Sequence, residues 1–353
     1  MQEEPKFDQL ERPLSSKIEV GGHDYLYFGG TAYLGIPQDE VFFQHYLTGI
    51  KRFGLNNGTS RTNNVQLGIY NQAESFAASS FGSEAALITS SGYLAAKLVV
   101  KELSKFGEVR YAPATHPALW QNENPKVEGA FTNWADSLVA EINQSEKSTW
   151  IIISNSMNNL FPEIYDFSFV QKINKDKQLV LIVDDSHGIG INNEGLGAYA
   201  FIPQGENIQV LVVASMAKAL GVDAGLVLAS EQLIKQLKQT EEFLGASPPA
   251  AAGLYAFMQA SEIYALALQK LKENMRLVSN ALAKNKAWHF VEGFPVYFCK
   301  NAELSRSLLQ QHILVSSFSY PDKDGPIINR IVLSSWHDQS TLQTLIEVLS
   351  DTA

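Results

Sequence analysis

Lys218 sits where an amine could do chemistry: it follows Ser215-Met216-Ala217 at the end of an apolar run, Val210 to Val213. A second apolar run, Leu179 to Val183, ends in Asp184-Asp185-Ser186-His187-Gly188. Short, continuous apolar runs rich in β-branched residues read as strands covered on both faces, as in a parallel sheet. Ligands of open α/β sheets bind outside the carboxyl ends of such strands. An amine, two acids and an imidazole are therefore expected around one ligand.

The residue types narrow the chemistry. Asp184, Asp185 and His187 lie within four residues of one strand end, cannot easily converge on one metal ion, and have no second Asp/His cluster to help them, so no metal site is expected. A Gly-x-Ser-x-Gly nucleophile elbow is absent, as are the Gly-rich nucleotide loops. A lysine amine can instead form an imine with an aldehyde, while a carboxylate keeps a ring nitrogen protonated. Together these describe a pyridoxal phosphate site. Ser91-Gly92-Tyr93 opens a helix after the apolar segment Ala85 to Ile88, and helix N-termini hold phosphate through free N–H groups. Alone, that turn reads first as a helix cap, and His116 as a loop residue. What joins them is their order along the chain: phosphate turn, ring-stacking histidine, ring-nitrogen acid, imine lysine.

The elements that must carry these groups follow from periodicity. Strands are expected at Tyr25–Phe28, Ala85–Ile88, Trp150–Ser154 and Ala224–Ser230 besides the two above. Helices are expected over Asp39–Arg52, Asn64–Ser80, Leu94–Leu103 and Glu231–Leu244, and from Pro248-Pro249 to about Lys286. Beyond Ala287 three strands, near Phe294–Cys299, Ile313–Ser316 and Arg330–Ser334, are expected to be separated by short helices, with a last helix over Thr341–Leu349. At 353 residues, 45% hydrophobic and 18% charged, the chain has the material for one large α/β body and a smaller α+β one. A net charge of −10 argues against nucleic acid and an anionic membrane surface as partners. One cysteine, Cys299, allows no internal disulfide, and no apolar run approaches membrane-spanning length, so a cytoplasmic protein is expected.

The motifs resemble, over nearly the whole chain, those of the α-oxoamine synthase family of fold-type I pyridoxal phosphate enzymes. Ala32-Tyr33-Leu34-Gly35-Ile36 is similar to that family's Asp-Tyr-Leu-Gly-Leu, and Ser60-Arg61 to its Ser-Arg. Ser90-Ser91-Gly92-Tyr93 is similar to its phosphate turn, His116-Pro117-Ala118-Leu119 to His-Ala-Ser-Leu, and Ser156-Met157 to Ser-Met. Asp184-Asp185-Ser186-His187-Gly188 resembles Asp-Glu-Ala-His-Gly, and Ser215-Met216-Ala217-Lys218-Ala219-Leu220-Gly221 resembles Thr-Phe-Ser-Lys-Ala-Phe-Gly. Ser247-Pro248-Pro249 resembles the end of Ser-Met-Pro-Pro, and Arg330 falls where the family places an arginine for the amino-acid carboxylate. Four positions depart from the pattern. Ile152-Ile153 replaces Glu-Gly, Asn158-Asn159-Leu160 replaces Asp-Gly-Asp, Tyr70 stands for a histidine, and Leu244-Gly245 for Ser-Thr.

The resemblance implies an α/β fold with a mostly parallel, seven-stranded-type sheet and a smaller α+β C-terminal domain: an arm over 1–34, a large cofactor domain over 35–250, and a linking helix and small domain over 251–353. It implies Lys218, His116, His187 and Asp184 as catalytic. Ser91, Gly92, Tyr93, Ser156 and Ser215 would join them in holding the cofactor, and Arg330 and Arg61 would meet substrate. The implied reaction is condensation of an amino acid with an acyl-CoA, with decarboxylation, in a homodimer with sites at the interface. The departures leave two alternatives open: an aminotransferase using the same cofactor, and a catalytically decayed protein that only binds it.

Overall fold

The computed structural model describes residues 6–320 and 324–351; residues 1–5 of the expected arm and the stretch 321–323 lie outside the described residues. The chain divides into two compact units. One comprises Gln44–Asn158 and Ile164–Ser261, the other Met1–Phe43, Asn159–Glu163 and Glu262–Ala353. The expected boundaries at 34/35 and 250/251 thus stand beside divisions at 43/44 and 261/262.

The first unit is built on a six-stranded sheet in the order Ala85–Thr89, Gly225–Ala229, Ile208–Ser215, Gln178–Asp184, Thr149–Asn155, Glu108–Tyr111. All pairings are parallel except those of Gly225–Ala229, which runs antiparallel to both neighbours. Ile151, Ile152, Ile153, Leu181, Ile182, Val183 and Val210 to Val213 are buried, as runs without polar alternation require. Among the described residues the sheet has six strands where the resemblance implies a seven-stranded type.

The helix Gly92–Leu103 lies on this sheet and buries Ala95, Ala96, Leu98, Val99, Val100 and Leu103. Its start almost touches the strand tips. A β-carbon at position 92 would come 2.6 Å from Ser215 Cα, and one at 225 would come 2.1 Å from the Ser91 carbonyl oxygen. Only glycine fits either place.

Three expected helices differ in extent, each for a local reason. Helix Ile69–Phe81 begins five residues later than Asn64, because the preceding polar side chains bond to their own backbone: Asn63 Oδ1 accepts from Val65 N–H at 2.8 Å, and Gln66 Nε2 donates to the Ser60 and Asn63 carbonyls. The stretch from Glu231 is two helices, Glu231–Leu237 and Glu241–Gly245, with Thr240 capping the second through Phe243 N–H. The long Ala-rich helix is also two, Ala251–Gln259 and Ser261–Leu282, with Pro248-Pro249 ahead of the N-cap Ala250 rather than in the first turn.

Glu74, 4% exposed, ties this unit's front together. Its carboxylate meets Arg61 Nη1 at 3.0 Å and Lys238 Nζ at 2.7 Å, and accepts from Ile88 N–H at 3.2 Å. Arg61 also donates to Asn71 Oδ1 and lies over the rings of Tyr70 and Phe243.

The second unit carries another six-stranded sheet: Lys17–Val20, His23–Phe28, Ile313–Ser319, Ile327–Val332, Val296–Cys299, Trp288–His289. Residues near the N-terminus supply two of these strands, and His23–Phe28 pairs parallel with Ile313–Ser319. Of the helices expected between the C-terminal strands, Leu304–Gln310 is present; Ile313–Ser319 and Ile327–Val332 pair directly, antiparallel. Gln339–Asp351 is the last helix.

Glu74→Ala leaves the largely buried Arg61, the partly exposed Lys238 and one N–H without their acceptor. It is expected to lower unfolding free energy by about 3–5 kcal/mol, the usual cost of breaking a buried pair, as read from urea denaturation with unchanged m-value.

Candidate active site

The strand tips gather the expected groups within the first unit. Asp184 ends its strand in register with Asn155 on one side and Val213 on the other. Its Oδ1 accepts from Ser186 N–H at 2.9 Å, which closes a tight turn and sends His187 onward. Ser186 Oγ in turn accepts from Ser215 N–H at 2.8 Å, so one buried hydroxyl fastens the two chemistry-bearing tips to each other. Beyond Ser215, Met216 N–H donates to the Ala224 carbonyl and Val222 N–H to the Met216 carbonyl, which fold the turn holding Lys218 back on itself. Lys218 Nζ reaches His187 Nε2 at 2.9 Å.

His116 completes the group from another loop. Burial of part of the imidazole pushes its pKa below the ordinary value; the charge of Asp184 opposes that shift and the Lys218 ammonium adds to it. His116 Nδ1 accepts from Ala118 N–H at 3.2 Å, so the neutral ring carries its proton on Nε2. Four of the expected residues, Lys218, His187, Asp184 and His116, therefore stand in one electrostatic neighbourhood.

Ser91 caps the helix Gly92–Leu103, its Oγ accepting from Leu94 N–H at 3.1 Å while its carbonyl takes Ala95 N–H. The first-turn N–H groups of Gly92 and Tyr93 have no carbonyl within the helix to bond, and Ser215 lies against Gly92. The Tyr93 side chain itself is exposed, with Lys97 Nζ 5.6 Å from its ring centroid.

Ser156 and Asp185 form a different pair. Asp185 is 1% exposed, turns its Oδ2 to Ala198 N–H at 2.8 Å, and packs against Gly188 and Gly197. Ser156 Oγ faces the same carboxyl but neither it nor Asp185 Oδ1 makes a well-formed hydrogen bond. Both line a cavity of about 310 Å³ with Tyr165, Phe167 and Asn192. Burial pushes the Asp185 carboxyl up to about 7.

Of the two arginines expected at substrate, Arg61 is occupied by Glu74 and Asn71 as described above. Arg330 belongs to the second unit, on strand Ile327–Val332. It is 6% exposed, donates from Nη1 to the Asn159 carbonyl at 2.7 Å, lies over Phe318, and keeps a buried Nε without a partner. Two residues at the first unit's strand tips escape a reading by chemical type: Ser186, which joins the tips, and Asn155, which bonds the His116 loop. The signal for Asn155 was its place, one residue before Ser156 in an Asn/Ser-rich strand end.

The donors fit pyridoxal phosphate group by group: a helix N-terminus with two free N–H groups for phosphate, a carboxylate for a ring N–H, an amine for an aldehyde, an imidazole beside them. A mostly parallel α/β sheet with these groups at its strand tips is the fold-type I architecture of pyridoxal phosphate-dependent enzymes. Residues 56–349 match the family described as aminotransferase class I and II, and the chain belongs to that family of pyridoxal phosphate-dependent transferases. It is 24% identical over 364 residues to 8-amino-7-oxononanoate synthase of Methylococcus capsulatus, covering 97% of this chain and 92% of that one. Its fold is similar to that of a Sphingomonas wittichii serine palmitoyltransferase, with a TM-score of 0.78 at 16% identity over 99% of this chain and 91% of the other. A Francisella tularensis 8-amino-7-oxononanoate synthase structure gives 0.70 at 19% identity, over 93% and 97%.

Asp185 supplies a pH test. Its folded pKa lies above the value of 3.8 it has when exposed, so its contribution to stability is complete below that value and is lost as pH rises toward about 7. Asp185→Asn removes this titration. The difference in melting temperature, variant minus wild type, is expected to rise from pH 4.5 to pH 7.5; a flat difference would show the carboxyl to be ionised throughout.

Proposed function

We propose that the protein is an α-oxoamine synthase-like acyltransferase that joins an amino acid to an acyl-CoA with loss of CO2, yielding an α-aminoketone. The observation that carries this reading is the Lys218 to His187 contact of 2.9 Å within the neighbourhood of Asp184 and His116. Bound among these groups, pyridoxal phosphate supplies an aldehyde that holds the amino acid covalently and a ring that accepts negative charge from its α-carbon. The residues do the rest. Asp184 keeps a proton on the ring nitrogen. The Gly92 and Tyr93 N–H groups, with the hydroxyls of Ser91 and Ser215, hold the phosphate. Lys218 would anchor the cofactor through its amine and would move the proton at the substrate α-carbon. His187, within hydrogen-bond reach of Lys218 Nζ, would steady that amine while substrate occupies the site. His116, with its proton on Nε2, would flank the cofactor and offer that proton to the oxygen of an incoming acyl group.

For substrate, Arg330 is the carboxylate partner we favour, since its Nε has no bond and burial makes an anion a good companion. Arg61 is given the role of holding the 54–64 loop to Glu74, and Ser156 that of supporting Asp185. The similarity to 8-amino-7-oxononanoate synthases supports a condensation of that type; a place in biotin synthesis and a cytoplasmic homodimer are part of the same proposal. Among the described residues no helix is long and apolar enough to cross a membrane. The aminotransferase reading keeps support from Ile152-Ile153 and Asn158-Asn159-Leu160, which replace family acids without touching the lysine cluster.

Purified protein with added pyridoxal phosphate is expected to show an imine absorbance band that Lys218→Ala removes, with turnover falling by about 10³-fold or more. Given amino acids and acyl-CoAs, it is expected to release free CoA and CO2 together. Amino transfer dependent on a 2-oxoacid, with no CoA released, would replace the synthase reading by the aminotransferase one, and a coloured but inert protein would leave only cofactor binding.

A further inference from the structure

The His116 loop is held in a conformation that its own residues do not favour. Ala114 has φ of 54°, the left-handed region that residues with a β-carbon occupy only where their surroundings impose it. Two residues on, His116 turns back to an extended φ of −65° and ψ of 143° and starts the short turn Pro117–Leu119. The side chain that spans this reversal is Asn155, the last residue of strand Thr149–Asn155. Its Nδ2 donates to the Ala114 carbonyl at 2.7 Å and its Oδ1 accepts from His116 N–H at 3.1 Å. Asn155 is 9% exposed, so both bonds are shielded from competing water.

Other contacts secure the loop without reaching His116 itself. Trp120 Nε1 donates to Thr115, Lys97 Nζ to the Trp120 carbonyl, and Ala112 N–H to the Ile153 carbonyl. Asn155 differs from these in two ways. It bonds the His116 peptide directly, and it stands in register with Asp184, whose charge acts on the His116 ring together with that of Lys218. A carboxamide presents a donor and an acceptor at a fixed separation, and here each meets the complementary group of one reversed peptide segment. The ring is then set by its own cap, Nδ1 accepting from Ala118 N–H.

We infer that Asn155 is a positioning residue for His116: its carboxamide ties the Ala114 carbonyl and the His116 N–H to the strand tip beside Asp184, and so presents the imidazole to the cofactor in one orientation and one tautomer. This rests on the reading of the Lys218 cluster as the cofactor site. The residue acts through His116 and needs no contact with substrate.

The test compares Asn155→Ala and the volume-conserving Asn155→Leu with His116→Ala and the double variant Asn155→Ala/His116→Ala. With histidine labelled at Cε1, the protein freed of cofactor shows seven imidazole resonances, of which His116 is the one missing from His116→Ala. Its titration is expected to move upward by half a pH unit or more in the Asn155 variants as the loosened ring regains water. Pyridoxal phosphate affinity, followed by absorbance, is expected to weaken about tenfold in Asn155→Ala, but less than twofold further when the substitution is made in the His116→Ala background. A melting temperature that falls with an unmoved His116 titration, or additive losses of affinity, would overturn the inference and leave Asn155 a structural residue only. Asn155→Leu carries the titration arm if Asn155→Ala does not fold. Failure of the wild type to bind pyridoxal phosphate would count against the proposed function, while the His116 titration would still decide the role of Asn155.

Discussion

The cofactor corner depends on how closely two pieces of backbone approach. The start of the helix Gly92–Leu103 rests on Ser215, and Ser91 rests on Gly225, at separations that exclude a methyl group in both places. Because the contact is backbone against backbone, the helix N-terminus cannot tilt away without pulling the Ser215 tip with it. That tip is fastened to the next by Ser186, and the next carries Asp184 and His187. A steric constraint at one edge is thereby passed through one hydroxyl to the groups proposed to act on substrate. The proposed phosphate site and the proposed imine site are parts of one rigid piece, which is what preorganised chemistry requires.

Charge is distributed with the same economy of roles. Arg61, Glu74 and the partly exposed Lys238 form one charged group, in which the Glu74 carboxylate serves both cations and Ile88 N–H. Asp185, the next residue after Asp184, is closed in and poor in donors, and burial pushes its carboxyl up to about 7.

How much of this was legible in the residues depended on whether the signal was local. The strands Gln178–Asp184 and Ile208–Ser215 are apolar over Leu179 to Val183 and Val210 to Ala214 because both faces are covered there, and that pattern is visible without neighbours. Lys218, Asp184, His187 and His116 were recognisable by type and order. Arg61 was recognisable as an arginine, but its partner Glu74 lies thirteen residues on and is defined by the fold, so its engagement was not. Breaks at Thr240 and Ala260 were hidden because helical periodicity continues across them. The strands Lys17–Val20 and His23–Phe28 belong to a sheet whose other members lie near the C-terminus, and no local pattern announces such a pairing. Asn155 and Ser186 are polar residues whose work is to hold other residues, a role that composition does not mark.

The strand Gly225–Ala229 runs against its neighbours and separates Ala85–Thr89 from the rest of the sheet. Its consequence is temporal. Ala85–Thr89 and the helix start at Ser91-Gly92 emerge early in synthesis, but their seat in the sheet is formed by residues well over a hundred positions later, and contacts of such separation close slowly. Until Gly225–Ala229 has been made and inserted, an apolar strand waits with both edges open, a template for wrong pairing. The last link to be translated in this sheet is therefore the one that assembles the corner, and a nascent chain arrested between residues 218 and 225 holds all the proposed cofactor ligands of the first unit without the strand that brings them together.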